Sequence, residues 1–484
     1  MDAVFNPRSI AFVGASNNLG KWGFIILHNL LMGGFEGRIH PVNSHEEKVL
    51  GLKAFHSVTD IPGEVDLAIF TIPASAMPSA IKDCVKKRVR AGVVISAGFG
   101  ELGEGGKDLE HEMVRVARAS NMVLVGPNGQ GIVNTRAGLY PWMPAYMPEP
   151  GEIAIISQSG NISTWLAYGL GELAFGVSKV VSTGNNADLS WEDYFLYFKD
   201  DPDTSVILAY VEGAGQGRKF FEAAAQTTRT KPIVLLKAGV TDVGTQAAQS
   251  HTGVLAGDDA VFEAACRQAG IIRVFDIEEA IVVSGALVGT PLPQGRRVAI
   301  VTGGGGMGVM AADSCIAAGL EVPGLSSGLK ARLKAILPPW WVPGNPVDMV
   351  AGLGYAGAQE ILPILFESRE IDAVLLIAIG WTYMMNEISE NSPFAELMDV
   401  KPLIEHRHER ERQHCETLAE MTREEKRPIF TVSWVARKAV ENKFSSILEL
   451  LDRRIMVYPT HELAIKAIAS LARYQAYLTA GEPR

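Results

Sequence analysis

Short runs of consecutive apolar residues, rich in Ile and Val, alternate along the chain with longer stretches of helical periodicity. Runs that are apolar on both faces and too short for helices read as strands of parallel sheets, with crossover helices between them. Three such blocks are visible. The first opens with Ser9-Ile10-Ala11-Phe12-Val13, turns through Gly14-Ala15-Ser16 and continues into a helix over Trp22–Leu31. Strands follow at Arg38–Pro41, Leu67–Thr71, Gly92–Ser96 and Val123–Val125, each expected to have a helix between. The second block begins at Glu152–Ser157 and continues with a helix over Ile162–Leu173 and strands at Lys179–Ser182, Val206–Glu212, Pro232–Lys237 and Ile271–Val274. The third starts at Arg297–Thr302, enters a glycine run and then a helix to Ala318, and adds strands at Ala373–Ile379, Pro428–Ser433 and Arg454–Tyr458. A Pro-rich connector over Pro141–Pro150 and the segment Pro291-Leu292-Pro293-Gln294-Gly295 separate the blocks. The expectation is an α/β protein of three domains, residues 1–145, 146–290 and 291–484.

Composition narrows the function classes. Hydrophobic residues make up 47% and charged residues 20% of the 484, the balance of a soluble globular chain. The net charge of -10, with no dense Lys/Arg cluster, argues against nucleic acid as a partner. No stretch of about 18 uninterrupted apolar residues suggests a membrane span, and Met1–Pro7 lacks the pattern of a signal peptide. Cys84, Cys266, Cys315 and Cys415 are too scattered for a disulfide framework or a metal site, which suits a reducing cytoplasm. The segment Glu405–Lys426 carries His406, His408, His414 and Cys415. Its charges fall at helical spacing and it holds a single cysteine, so a charged helix is expected there and no metal.

Each block begins with a strand, a turn of small residues and a helix. That arrangement aims free backbone N–H groups, and roughly half a positive charge, at any anion in the crevice. In the first block Gly14-Ala15-Ser16 permits close backbone approach and Lys21 adds a cation, but the spacing is not that of a dinucleotide fingerprint. The second strand leads into Pro41-Val42-Asn43, with Asn43 where a nicotinamide cofactor would want an acidic residue for its ribose. A phosphate-bearing, nucleotide-like ligand other than NAD is the better match. Ser157-Gln158-Ser159-Gly160 precedes the first helix of the second block, and Gly303, Gly304, Gly305 and Gly306 precede that of the third; two such helix ends are expected to share one anion.

Ser250-His251-Thr252-Gly253 lies between the Pro232–Lys237 strand and a helix starting near Asp258. A histidine on such a loop is suited to nucleophilic or acid/base work, although alone it is as readily an ordinary polar loop residue. Glu212, at the carboxyl end of a strand, is placed either to orient that imidazole or simply to face solvent. Trp142, Trp165 and Trp191 fit either an aromatic acyl pocket or the core.

Taken together, Gly14-Ala15-Ser16, Gly126-Pro127-Asn128, Ser157-Gln158-Ser159-Gly160, Gly184-Asn185-Asn186-Ala187-Asp188, Tyr210-Val211-Glu212-Gly213, Ser250-His251-Thr252-Gly253 and Asn345-Pro346-Val347-Asp348 run in one colinear order over nearly the whole chain. In this the chain resembles the NDP-forming acyl-CoA synthetase family, related to succinyl-CoA synthetase. The resemblance implies an N-terminal Rossmann-like CoA-binding domain followed by two flavodoxin-like domains. It implies CoA contacts at Gly14, Ala15, Ser16, Lys21, Asn43 and Pro73, and phosphate contacts at Gln158, Ser159, Gly160 and Gly303–Gly306. It further implies an acyl pocket bordered by Asn128, Gly129, Gln130, Asn185 and Asn186, phosphorylation of His251, and support of His251 by Glu212. In such enzymes acyl-CoA and phosphate give an acyl phosphate and CoA; the phosphoryl group passes to histidine and then to ADP or GDP.

Two departures touch the pocket. The family commonly has Gly-Pro-Asn-Cys-x-Gly where this chain has Gly126-Pro127-Asn128-Gly129-Gln130-Gly131, and Gly-Asn-Lys where it has Gly184-Asn185-Asn186. No segment resembles the ATP-grasp domain that handles the nucleotide. The resemblance therefore implies an α subunit that meets ATP or ADP and Mg2+ through an ATP-grasp β subunit, in an α2β2 hetero-oligomer. The competing expectation is a catalytically inactive, CoA-binding regulatory protein.

Overall fold

A computed structural model of the protein describes residues 1–246, 258–349, 354–377, 380–395, 397, 399–441 and 445–481. They divide into two compact units, one of residues 1–168 and 176–277, the other of residues 169–175 and 278–484.

The first unit carries two sheets. In one, five parallel strands lie in the order Arg38–Val42, Ser9–Val13, Leu67–Phe70, Ala91–Val94, Val123–Val125. In the other, six strands run Ile272–Val274, Ile233–Lys237, Val206–Val211, Pro150–Ser157, Val177–Ser182, Gly131–Asn134, the last antiparallel to its neighbour. Inner strands such as Ser9–Val13 and Val206–Val211 are covered on both faces, which is why their sequences are apolar without alternation. The second unit holds a five-stranded parallel sheet ordered Val347–Asp348, Val298–Thr302, Ala373–Ile377, Ile429–Val432, Val457–Tyr458. The α/β class and the parallel sheets are as the hydrophobic pattern requires.

Three details differ from expectation. No α-helix joins Arg38–Val42 to Leu67–Phe70; a hairpin of Lys48–Val49 and Leu52–Lys53 and the 3-10 turn Val58–Asp60 do so instead. Leu50 and Gly51 both take positive φ, 47° and 81°, the tight reversal that a two-residue hairpin loop needs and that a helix cannot contain. The edge strands Gly131–Asn134 and Val347–Asp348 were not signalled, because only Ile132 and Val133 are strongly apolar in the first and the second is two residues long. The helices after the second and third glycine turns span Gly160–Gly171 and Gly305–Ala317, beginning earlier than the apolar periodicity indicates. The glycines themselves form their first turns.

The helix Lys401–Arg423 has the charged character expected, with Glu411, His414, Cys415 and Leu418 on its buried side. Burial pushes the His414 imidazole down to about 4 and the Cys415 thiol up. In the same unit Asn345 acts as a strand extension: its Oδ1 accepts from Ile300 N at 3.0 Å, and its Nδ2 donates to Val298 O at 2.9 Å and to Pro323 O at 3.1 Å.

Close approach of backbone decides the first turn. Gly14 has φ +95°, and a Cβ there would stand 2.6 Å from Thr71 Oγ1. At Gly23, in the first turn of the helix Trp22–Met32, a Cβ would stand 2.0 Å from Gly14 O. The helix is therefore seated directly on the turn. Gly23→Ala is expected to cost about 1–3 kcal/mol as overpacking that the backbone cannot relieve. A lowered urea midpoint for the variant checks this; an unchanged midpoint would show that the helix can slide.

Candidate active site

In each sheet the first strand of the block has its next two partners on opposite sides, so the following loops part at its carboxyl end. Ligands of open α/β sheets bind at such points. In the first sheet the point falls between Gly14 and Thr71, whose hydroxyl donates to Gly14 O at 3.2 Å. In the second it falls between Gln158 and Glu212. Gln158 N donates to Tyr210 O at 3.2 Å, and its Oε1 accepts from Glu212 N at 2.6 Å and Gly213 N at 3.0 Å. Both residues are buried, so Glu212 is not the solvated strand end that was one of its readings. Burial, with the charge of Glu212 and a hydrogen bond to it, pushes the Tyr210 phenol up to about 12. In the third sheet Gly303 N donates to Ile377 O at 3.2 Å and Gly304 caps the helix Gly305–Ala317. A Cβ at Gly304 or Gly306 would meet nothing within 4 Å, leaving that turn open.

Within the first unit a cleft of about 420 Å³ gathers residues that lie far apart in sequence. Asn128, Gly129 and Gln130 come from the loop after Val123–Val125, Gln158, Ser159 and Gly160 from the second glycine turn, and Asn185 from the loop after Val177–Ser182. Gln130 lies against the start of the helix Gly160–Gly171: its Nε2 donates to Asn161 Oδ1 at 2.9 Å and its Oε1 accepts from Thr164 Oγ1 at 3.1 Å. A side chain at position 129 would bring its Cβ to 2.3 Å from Ser182 O, so this backbone demands glycine where the family commonly has cysteine. Asn128 and Asn186 take φ of 62° and 52°, left-handed positions that asparagine tolerates better than most residues. No Lys or Arg is among the described residues lining the cleft. An anion there is met by N–H donors and the helix end.

Asn128 and Asn185 are themselves held. Asn128 Nδ2 donates to Asn185 Oδ1 at 3.3 Å, and Asn185 Nδ2 donates to Glu101 Oε2 and Glu110 Oε2, each at 2.8 Å. Burial alone would raise the Glu101 carboxyl, but the Asn185 amide and the Gly98 and Phe99 N–H groups outweigh it and hold the group below the usual carboxylate range.

The remaining expected residues spread along the first crevice. Lys21 is exposed at the start of Trp22–Met32, Pro73 is exposed, and Ser16 Oγ accepts from Asn18 N at 3.1 Å. Asn43 is committed to its loop, donating to Ala15 O at 2.8 Å and accepting from His45 N at 2.7 Å and Glu46 N at 3.1 Å. Gly303–Gly306 belong to the second unit. His251, with Ser250, Thr252 and Gly253, lies outside the described residues. The helix that follows, Asp259–Ala269, is anchored: Asp258 Oδ1 caps Ala260 N at 2.7 Å, and Arg273 grips Asp259 at 2.7 and 2.8 Å. Trp142 and Trp191 are core and Trp165 is 66% exposed, none of them in the cleft; Trp22, half-exposed, lines it instead. Its one sequence signal was its place beside Lys21.

Comparison with known proteins defines the class. Residues 8–135 match the family model of a CoA binding domain, residues 150–287 that of a succinyl-CoA ligase like flavodoxin domain, and residues 298–409 that of a Ligase-CoA domain. The acetate–CoA ligase (ADP-forming) II subunit alpha of Pyrococcus furiosus is 40% identical over 79% of this chain and 83% of its own length. The acetate–CoA ligase (ADP-forming) of Methanocaldococcus jannaschii is 38% identical over 71% of this chain, a match spanning 48% of that protein. The structure of dinucleotide forming acetyl-coenzyme A synthetase 1 from Ca. Korarchaeum cryptofilum, in complex with phosphate and ADP, superposes with a TM-score of 0.84 at 31% identity, covering 100% of this chain and 99% of that one. The chain belongs to the NDP-forming acyl-CoA synthetases, which are acid–thiol ligases, and is of their α-subunit type. Catalytic inactivity finds no support in these matches.

Gln158→Leu removes the acceptor for two buried N–H groups while nearly keeping shape, an expected loss of about 1–3 kcal/mol with Glu212 displaced. Chemical denaturation reads the first effect and ligase turnover the second; a variant equal to wild type in both would remove Gln158 from the site.

Proposed function

We propose that this chain interconverts acyl-CoA, phosphate and ADP with a carboxylic acid, CoA and ATP by way of an acyl phosphate and a phosphohistidine at His251. The cleft carries this reading: a helix N-terminus at Gly160 and the amides of Asn128 and Gln130 converge on one space, with Asn185 holding Asn128 from its wall. Such a space suits a carboxylate or phosphate that must be held and then released, since the donors are neutral dipoles aimed where charge develops. CoA enters along the first crevice, with its phosphates at Gly14–Ser16 and Lys21 and its chain passing Thr71 and Pro73. The crevice suits phosphates, because the first turn of Trp22–Met32 presents helix-end N–H groups beside the exposed Lys21.

His251 attacks the phosphorus of the acyl phosphate; the P–O bond to the carboxylate breaks, and the carboxylic acid leaves as its anion. Glu212 orients the imidazole through one ring nitrogen while the other carries the phosphoryl group. That group bears about -1.5 to -2 charges near neutral pH and needs several donors. We assign some of these to the helix end at Gly160. The nucleotide step is given to a partner: the Pyrococcus relative is named as a subunit, and the Methanocaldococcus relative has a chain about twice as long as the matched part. The partner in this reading is an ATP-grasp β subunit that brings ADP or ATP and Mg2+, within an α2β2 assembly. Among the described residues no helix is long and apolar enough to cross a membrane, and all four cysteines are buried and free, which supports a cytoplasmic setting.

The deciding experiment mixes the chain with acyl-CoA and radiolabelled phosphate, and separately with an ATP-grasp subunit, ATP, CoA and a panel of short, branched, aromatic and dicarboxylic acids. Acid-labile label is expected on wild type and absent from His251→Ala, and acyl-CoA is expected only when the partner is present. Equal labelling of both proteins would reject His251. ATP-dependent acyl-CoA synthesis by the chain alone would reject the divided enzyme.

A further inference from the structure

The Asn185 amide in the cleft wall has both of its Nδ2 hydrogens committed to carboxylates that do not line the cleft. One is Glu101, which follows the loop after Ala91–Val94; the other is Glu110, inside the helix Glu104–Arg118. Glu101 is the more demanding of the two. Its Oε1 accepts from Gly98 N at 2.5 Å and Phe99 N at 3.2 Å, while its Oε2 takes the Asn185 amide at 2.8 Å. A single carboxylate thus ties a loop of the first sheet, which supplies Ile95, Ser96 and Ala97 to the cleft, to a loop of the second sheet, which supplies Gly184 and Asn185. Glu110 Oε2 also accepts from Gly100 N at 3.3 Å, so the same loop is held at two points.

The consequence passes to Asn128. With its two hydrogens held by Glu101 and Glu110, Asn185 can turn only its carbonyl toward Asn128, and it accepts from Asn128 Nδ2 there. That bond fixes which way round the Asn128 amide sits. The amide's remaining hydrogen and its Oδ1 are then presented in a set order on the wall beside Gln130 and the helix end. A carboxylate side chain serves here because it is acceptor-only; a glutamine would bring a donor against the Asn185 donor and permit the chain of amides to flip.

We propose that Glu101 is a positioning residue of the acyl site: through Asn185 it sets the orientation of the Asn128 amide toward the carboxylate or acyl phosphate group. This rests on the cleft's assignment as the acyl site made under Proposed function. The hydrogen bonds of Glu101 go to Gly98, Phe99 and Asn185, none of them a residue assigned to CoA, so its loss is expected to act on the acid and leave CoA binding in place.

The test uses the chain assembled with its ATP-grasp partner and compares Glu101→Gln, Asn185→Ala and the double variant. Glu101→Gln is expected to raise the KM for the carboxylic acid about tenfold, the scale of one misplaced hydrogen bond to a charged group, with the KM for CoA unchanged. Because Glu101 acts through Asn185, adding Glu101→Gln to Asn185→Ala is expected to cause no further loss. Equal changes in both KM values, or additive losses, would reduce Glu101 to a loop brace. Should Glu101→Gln fold poorly, the exchanged pair Glu101→Gln/Asn185→Asp restores a donor facing an acceptor and is expected to recover the acid KM relative to Asn185→Asp; no recovery would overturn the proposal. A crystal structure of Glu101→Gln gives a readout independent of activity: the Asn128–Asn185 bond is expected to be broken, and an unchanged bond counts against the proposal even if the chain proves to act on some other substrate.

Discussion

A parallel strand whose next two partners lie on opposite sides must send its loops apart, and the gap so opened lies at the carboxyl ends of strands and the amino ends of helices. Every functional feature of this chain depends on that constraint, repeated once in each sheet. The gap is lined by backbone N–H groups that have no partner in the sheet or the helix. The chain supplies short side chains or none at these turns, as at Gly14, Gly160 and Gly304–Gly306, so that the donors stay accessible. Where the gap is narrow, as between Gly14 and Gly23, glycine is required by contact distance.

The second sheet shows how a single side chain can stabilise such a gap. Gln158 takes two N–H groups from Glu212 and Gly213 that the end of the Val206–Val211 strand would otherwise leave unpaired and buried. It thereby holds Glu212, a buried carboxylate, at the mouth of the switch point. An unpaired donor in that place would cost more than an ordinary hydrogen bond contributes, since its desolvation would go uncompensated. Glu101 plays the corresponding part on the other side of the cleft, where its carboxylate collects N–H groups from two loops. An amide oxygen in the one case and a carboxylate in the other organises neutral donors, and the cleft itself remains without a side-chain cation among its described residues. A site of dipoles binds an anion without trapping it, which suits a group that must move on.

The two departures from the family pattern have local physical reasons. Gly129 faces Ser182 O too closely for any Cβ, and Asn186 occupies a left-handed position two residues after the left-handed Gly184. Both changes shorten side chains at the border of the cleft, and Trp22 and Met143 complete its wall. The aromatic residue that borders the cleft is thus neither of the two buried tryptophans nor the exposed Trp165.

The sequence by itself determined the α/β class and the inner strands of the three sheets, because a strand buried on both faces must be apolar along its whole length, and that leaves a run legible without any partner. It also determined the glycine turns, since close backbone approach admits few residue types. The charged helix Lys401–Arg423 was legible for a related reason: its polarity follows a helical period. The hairpin after Arg38–Val42 and the edge strand Gly131–Asn134 were not legible, because two to four residues carry too little periodicity to separate from a loop. Only the tertiary structure decided which distant loops meet. It brought Asn128, Gln130, Gly160 and Asn185 into one cleft, added Trp22 to its wall and placed Glu101 behind it. Those choices rest on strand order, and strand order is set by how whole sheets pack rather than by any pattern that a single segment carries.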